Sequence, residues 1–211
     1  MGNDNQSGIV IDFIDPLFAV VLHISFVEMM FHKPWFTDLH LVIREPYFFH
    51  LVTLGLAYFT IVSSWIGYHQ SIKKAPINVE KGWGQIRFAL DIVLLIGYFF
   101  LVASSENFQR ELWILVVIFF AFVLWDQSKR KEVPETSQDS SARRGVTVLW
   151  FFVFLGLALL SGLHPVSESH TCQDWFTLGA AIVATLLYRW HKGRLGWKRL
   201  LLVLGYPKAH A

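Results

Sequence analysis

Charge is scarce in this chain. Only 16% of its 211 residues are Asp, Glu, Lys or Arg, against about 25% in an average soluble domain. Hydrophobic residues make up 54%. A soluble core cannot hide that much apolar surface, so the composition asks for lipid as a solvent. Cysteine is nearly absent too. Cys172 stands alone, which excludes an intrachain disulfide and any multi-cysteine metal site. His164 and His170 crowd near it, but their spacing matches no tetrahedral zinc set. There is no His-Glu-x-x-His helix, no Gly-x-Ser-x-Gly elbow and no phosphate-cradling Gly loop. The expectation is a protein that is not an enzyme, with no metal and no cofactor. No internal repeat and no nucleic-acid motif is found, so no nucleic-acid contact is expected. Residues 1–8 carry no Lys or Arg, and no small-residue cleavage site follows the first apolar run. A secretory signal is therefore not expected, and a bacterial inner membrane is the default location.

What the chain does have is long apolar runs. A membrane helix needs about 20 mostly apolar residues. Six windows approach that, at 9–31, 47–69, 86–104, 111–126, 145–163 and 173–190. The run Val148 to Leu163 is apolar on every face, as a lipid-exposed span would be. The predicted fold is all-α: a polytopic membrane protein with six transmembrane helices and a C-terminal amphipathic interfacial helix. Residues 1–126 are read as helices one to four and 127–144 as a polar cytoplasmic linker. Residues 145–190 are read as helices five and six, and 191–211 as a basic cytoplasmic tail suited to anionic lipid.

The basic residues give an orientation. With six spans, one side of the membrane holds 15 of the 18 Lys and Arg residues, and the other holds Lys33, Arg44 and Arg110. Cytoplasmic loops carry the excess of positive charge, so both termini are expected in the cytoplasm. Trp35, Tyr47, Trp65, Trp83, Trp125 and Trp190 fall near predicted span ends, where amphipathic rings suit the headgroup layer.

Ionisable groups inside a span cost about 2.5–3.5 kcal/mol on insertion scales. The first span holds several of them. Asp12 and Asp15 lie in its opening turns, where a carboxylate complements the helix dipole. His23 and Glu28 lie deeper. His23 shares a stripe with Val20, Val27 and Met30 at helical spacing, and Ile24 flanks it. Such a stripe should face protein or water. In the third window Arg87 and Asp91, four residues apart, are placed to pair across one turn.

The stretch from Phe13 to His23, FIDPLFAVVLH, resembles the first helix of the transmembrane-protein-175 family of potassium channels. Phe13 and Asp15 match that family's opening Phe-Ser-Asp, with Ile14 in place of Ser. Trp65 and His69 match the Trp-x-x-x-His ending of its second helix. The chain departs from the family pattern at Ile9, where an Arg is usual, and at His23, where a pore-lining Thr is usual. The resemblance implies six-helix units with cytoplasmic ends that form a homo-oligomeric cation channel, with a tetramer favoured. Monovalent cations and the lipid bilayer would be its partners. Helix one would line the pore through Val20, His23, Ile24 and Val27, with Val20 as a hydrophobic gate. Phe13, Asp15, Trp65 and His69 would hold helix one against helix two. The alternative is a membrane effector or regulatory subunit of a bacterial defence or stress system, acting with a cytoplasmic partner. A transporter using His23 and Glu28 as a proton relay is a third reading. It lacks the Gly/Pro-broken helix pair such a fold would need.

Overall fold

The computed structural model describes residues 3–32, 47–74, 77–78, 82–133, 137–162 and 171–192. Among them every regular element is a helix. These are α1 (Asn3–His32), α2 (Tyr47–Lys74), α3 (Gly82–Ala103), α4 (Phe108–Glu132), α5 (Ser137–Gly162) and α6 (Cys172–Lys192). Each of the six apolar windows lies largely within one of these helices. The tail at 193–211, and with it the expected interfacial helix, lies outside the described residues.

Four of the helices are long and apolar enough to cross a membrane: Tyr47–Ile72, Gly82–Ala103, Phe108–Glu132 and Arg144–Gly162. In α1 the described apolar stretch is shorter, Phe13–Val27. α6 falls short of the same standard, because polar and charged residues such as Asp174, Arg189 and Lys192 occupy its ends.

Local chemistry explains where several helices begin. At the α3–α4 hairpin, the Asn107 side chain accepts from the Arg110 backbone N–H at 3.0 Å, capping α4. Ser104 N–H donates to Phe100 O at 3.0 Å and Asn107 N–H to Ser104 O at 2.8 Å, so the turn is closed by backbone bonds. Before α6, Thr171 and Asp174 bond reciprocally. Asp174 Oδ2 accepts from Thr171 N at 2.8 Å, and Asp174 N donates to Thr171 Oγ1 at 3.3 Å. This is a capping box. Pro16 lies inside α1 without ending it. Its missing N–H removes the donor for the carbonyl four residues back, near the start of the helix.

α4 is the axis of the packing. It lies between α3 and α5 along most of its length, and α6 closes against α5 and α2. The Phe119 ring stacks on Phe154 of α5 with centroids 4.4 Å apart and meets the edge of Tyr188 of α6 at 4.8 Å. Gly97 of α3 admits Ile118, whose side chain would lie 3.0 Å from a Cβ there. α1 rests on α3 and only lightly on α2. Large apolar side chains face outward from every helix, among them Phe100, Val117 and Phe152. A soluble surface would not be built this way.

The stretch read as a polar linker, 127–144, is helical at both ends. α4 continues to Glu132 and α5 starts at Ser137. Two of the charged residues that end α4 have partners on other helices. Lys129 Nζ donates to Ser71 Oγ at 2.6 Å, and Glu132 pairs with Arg87. An apolar window marks the greasy part of a helix and not its end.

Candidate functional site

Four polar groupings hold the bundle together. The first joins α1 to α2. His69 Nε2 lies 3.0 Å from Asp15 Oδ1 and 3.1 Å from Oδ2. Trp65 Nε1 donates to Asp15 Oδ1 at 3.2 Å, and His69 Nδ1 approaches Trp65 O at 3.1 Å. The residues at 65 and 69 share one face of α2 because they are one turn apart. Of the four motif residues, Asp15, Trp65 and His69 come together. Phe13 does not join them: it tilts against Phe88 of α3 with centroids 5.7 Å apart. Further along the same seam Ser25 Oγ and Tyr58 OH are 2.9 Å apart.

The second grouping is buried between α3 and α4. Arg87 and Glu132 form an ion pair with both side chains almost wholly out of solvent. Glu132 Oε1 also accepts from the Asn78 backbone N–H at 2.7 Å. The loop can come this close because position 84 is glycine. A Cβ there would lie 1.8 Å from Asn78 O, well inside contact distance. The Arg87 guanidinium lies 4.8 Å from the centre of the Trp125 ring, and Trp125 Nε1 donates to Asp91 Oδ1 at 2.9 Å. Arg87 and Asp91, placed by their spacing to pair with each other, thus engage α4, through Glu132 and Trp125. Asp91 remains within electrostatic range of Arg87.

The third grouping ties α4, α5 and α6. Asp126 Oδ2 accepts from Lys192 Nζ at 2.8 Å and from Thr147 Oγ1 at 2.7 Å. Lys192 also donates to Tyr188 OH at 2.9 Å. The fourth joins α2, α3 and α6. Tyr98 OH donates to Ser64 Oγ at 2.6 Å, and Arg189 Nη2 donates to the same oxygen at 2.7 Å and to Thr60 O at 3.3 Å. Sequence reading missed Glu132, Asp126, Ser64 and Arg189. Glu132, Asp126 and Arg189 lie at boundaries between charged and apolar sequence and Ser64 lies within an apolar run, and nothing local names their partners.

The expected pore residues form a different kind of surface. Val20 and Ile24 of α1 are 47% and 46% exposed, and His23 beside them is exposed as well. Val27 is half-buried. The stripe therefore points away from the other described helices. The side chains of Asp12, Glu28 and Met30 lie outside the described residues, as do His164 and His170. Among the described residues no group of three or more His, Cys, Asp and Glu side chains is arranged to hold a metal ion. No family, curated protein or solved structure matches the chain.

Proposed function

We propose that this chain is a multi-pass membrane protein that assembles with copies of itself into a cation-conducting oligomer, a tetramer in its favoured form, with α1 lining the path. Val20 is the apolar constriction and His23 the polar ring beside it. Six spans with both ends in the cytoplasm, as the distribution of Lys and Arg favours, complete the reading.

One observation carries it. His23 lies within the apolar stretch Phe13–Val27, yet it faces outward. An imidazole turned to hydrocarbon is costly, whereas one turned to a water-filled path or a neighbouring subunit is not. The same face carries Val20 and Ile24, so symmetry would convert each into a ring. A ring of valines impedes ions by dewetting. A ring of His23 side chains would give the path a polar lining next to that constriction. Asp15, held by Trp65 and His69, supports the reading by fixing the roll of α1 so that its stripe stays outward.

The experiment is potassium flux from liposomes containing only the purified chain, with its oligomeric state measured in parallel. Flux without any added partner, increased by Val20→Ser, is the expected result. An intact oligomer with no flux in either form would favour the regulatory-subunit reading. A strict monomer would remove the pore.

A further inference from the structure

The interior cations of this bundle are compensated unequally. Arg87 has Glu132 and Lys192 has Asp126. Arg189 has no carboxylate in contact among the described residues. Its Nη2 is taken up by neutral oxygens, Ser64 Oγ and Thr60 O. Its guanidinium lies 5.1 Å from the centre of the Tyr188 ring and 5.8 Å from that of Phe122. Its Nε is buried with no acceptor. A half-buried guanidinium that meets only hydroxyl, carbonyl and ring partners keeps most of its charge unneutralised.

The surface beside it is open. A Cβ at Gly67 would lie 3.5 Å from Arg189 Nη1, and Gly67 is itself exposed. Nη1 makes no hydrogen bond to any described residue. The absent side chain at 67 thus leaves a notch between α2 and α6, with the free end of a guanidinium at its floor.

We infer that Arg189 and the Gly67 notch form a binding site for a phosphate group, carried by an anionic lipid or by a free phosphate. Guanidinium donors match phosphate oxygens in geometry and charge. Basic pockets between transmembrane helices are suited to anionic headgroups. Arg189 lies in the last turn of α6, the end that the charge distribution assigns to the cytoplasmic leaflet. The site lies away from the α1 stripe and does not depend on ion conduction.

The test uses the full-length chain, delipidated in neutral detergent and probed by native mass spectrometry and thermal unfolding. The probes are dioleoylphosphatidylglycerol, dioleoylphosphatidylcholine and inorganic phosphate. Arg189→Gln should weaken binding of whichever anionic probe binds, phosphatidylglycerol or inorganic phosphate, at least about tenfold, the scale of a lost charge-assisted hydrogen bond. Gly67→Leu should do the same by covering the notch with Arg189 intact, so it decides the matter if Arg189→Gln fails to fold. Arg189→Lys should retain part of the binding. Preference for phosphatidylglycerol over phosphatidylcholine that is lost in both variants, with no response to inorganic phosphate, assigns the site to a lipid. A response to inorganic phosphate that is lost in both variants assigns it to a free phosphate. Binding of phosphatidylglycerol or inorganic phosphate that is unchanged in Arg189→Gln and Gly67→Leu, or no binding of either by the parent chain, would overturn the proposal.

Discussion

α4 and α1 both carry ionisable groups within or beside apolar sequence, and they treat them in opposite ways. α4 turns Glu132 and Asp126 inward and matches them, Glu132 to Arg87 and Asp126 to Lys192 and Thr147, while Glu111 is buried with neither carboxylate oxygen hydrogen-bonded among the described residues. α1 matches Asp15 to His69 but leaves His23 on the outside, between exposed Val20 and Ile24. Burial with a partner is the usual way to keep a charge in an apolar setting. A polar residue facing out of the helix bundle within an apolar stretch has no such partner among the described residues and is what the proposed oligomer would account for. The comparison separates residues matched within this fold from residues left without a partner among those described.

The sharpest way to break the comparison is at its buried end. Glu132→Ala removes the ion-pair partner of Arg87 and the acceptor for the Asn78 N–H. Removing one member of a buried pair typically costs about 3–5 kcal/mol. Thermal unfolding in detergent should show a loss of that order. A loss below about 1 kcal/mol would mean that the pair is not the clamp described here. The half-exposed pair at the α1–α2 seam should cost less. Asp15 and His69 side chains are 36% and 23% exposed, so solvent screens their attraction. Asp15→Asn should lower stability by about 1 kcal/mol or less. It should nonetheless disturb ion flux if the network sets the roll of α1.

The outward stripe should give the smallest stability effect and the clearest functional one. Val20→Ser changes an exposed side chain, so stability should stay within about 0.5 kcal/mol of the parent. Basal flux should rise. His23→Thr should leave folding unchanged as well, because the side chain it replaces is exposed, and should change the cation preference of the flux by altering the polar ring. A large stability loss from either substitution would show that α1 packs as α4 does, and the comparison would fail.

Part of this arrangement is legible in the sequence. The six apolar windows mark six helices, because a run too apolar for a soluble core and too long for a strand has few other forms. Trp65 and His69 fall on one helical face by spacing alone, and Asp15 is a carboxylate in search of a donor. The extension of α4 to Glu132 is not legible, since Lys129, Arg130 and Lys131 read as the start of a loop until the contacts of Lys129 with Ser71 and of Glu132 with Arg87 are known. The partner of Arg87 is missed for the same reason. Local spacing points to Asp91, four residues away, whereas Glu132 lies 45 residues on. Periodicity reports which face a residue occupies and not which helix that face meets. Arg189 illustrates the limit: in sequence it is one of several basic residues beyond an apolar run, and only the fold brings it to Ser64.

The most direct test of the central claim is thiol accessibility during conduction. In a Cys172→Ser background, single cysteines replace Val20, His23 and Ile24 on the outward stripe of α1, and Val93 and Ile96 on the exposed face of α3. A membrane-impermeant cationic thiol reagent is then applied while current is recorded across a bilayer. The account predicts that modification at 20, 23 or 24 lowers the current and that modification at 93 or 96 leaves it unchanged. Current that is insensitive at all three α1 positions, or equally sensitive at the α3 positions, would contradict a path lined by α1.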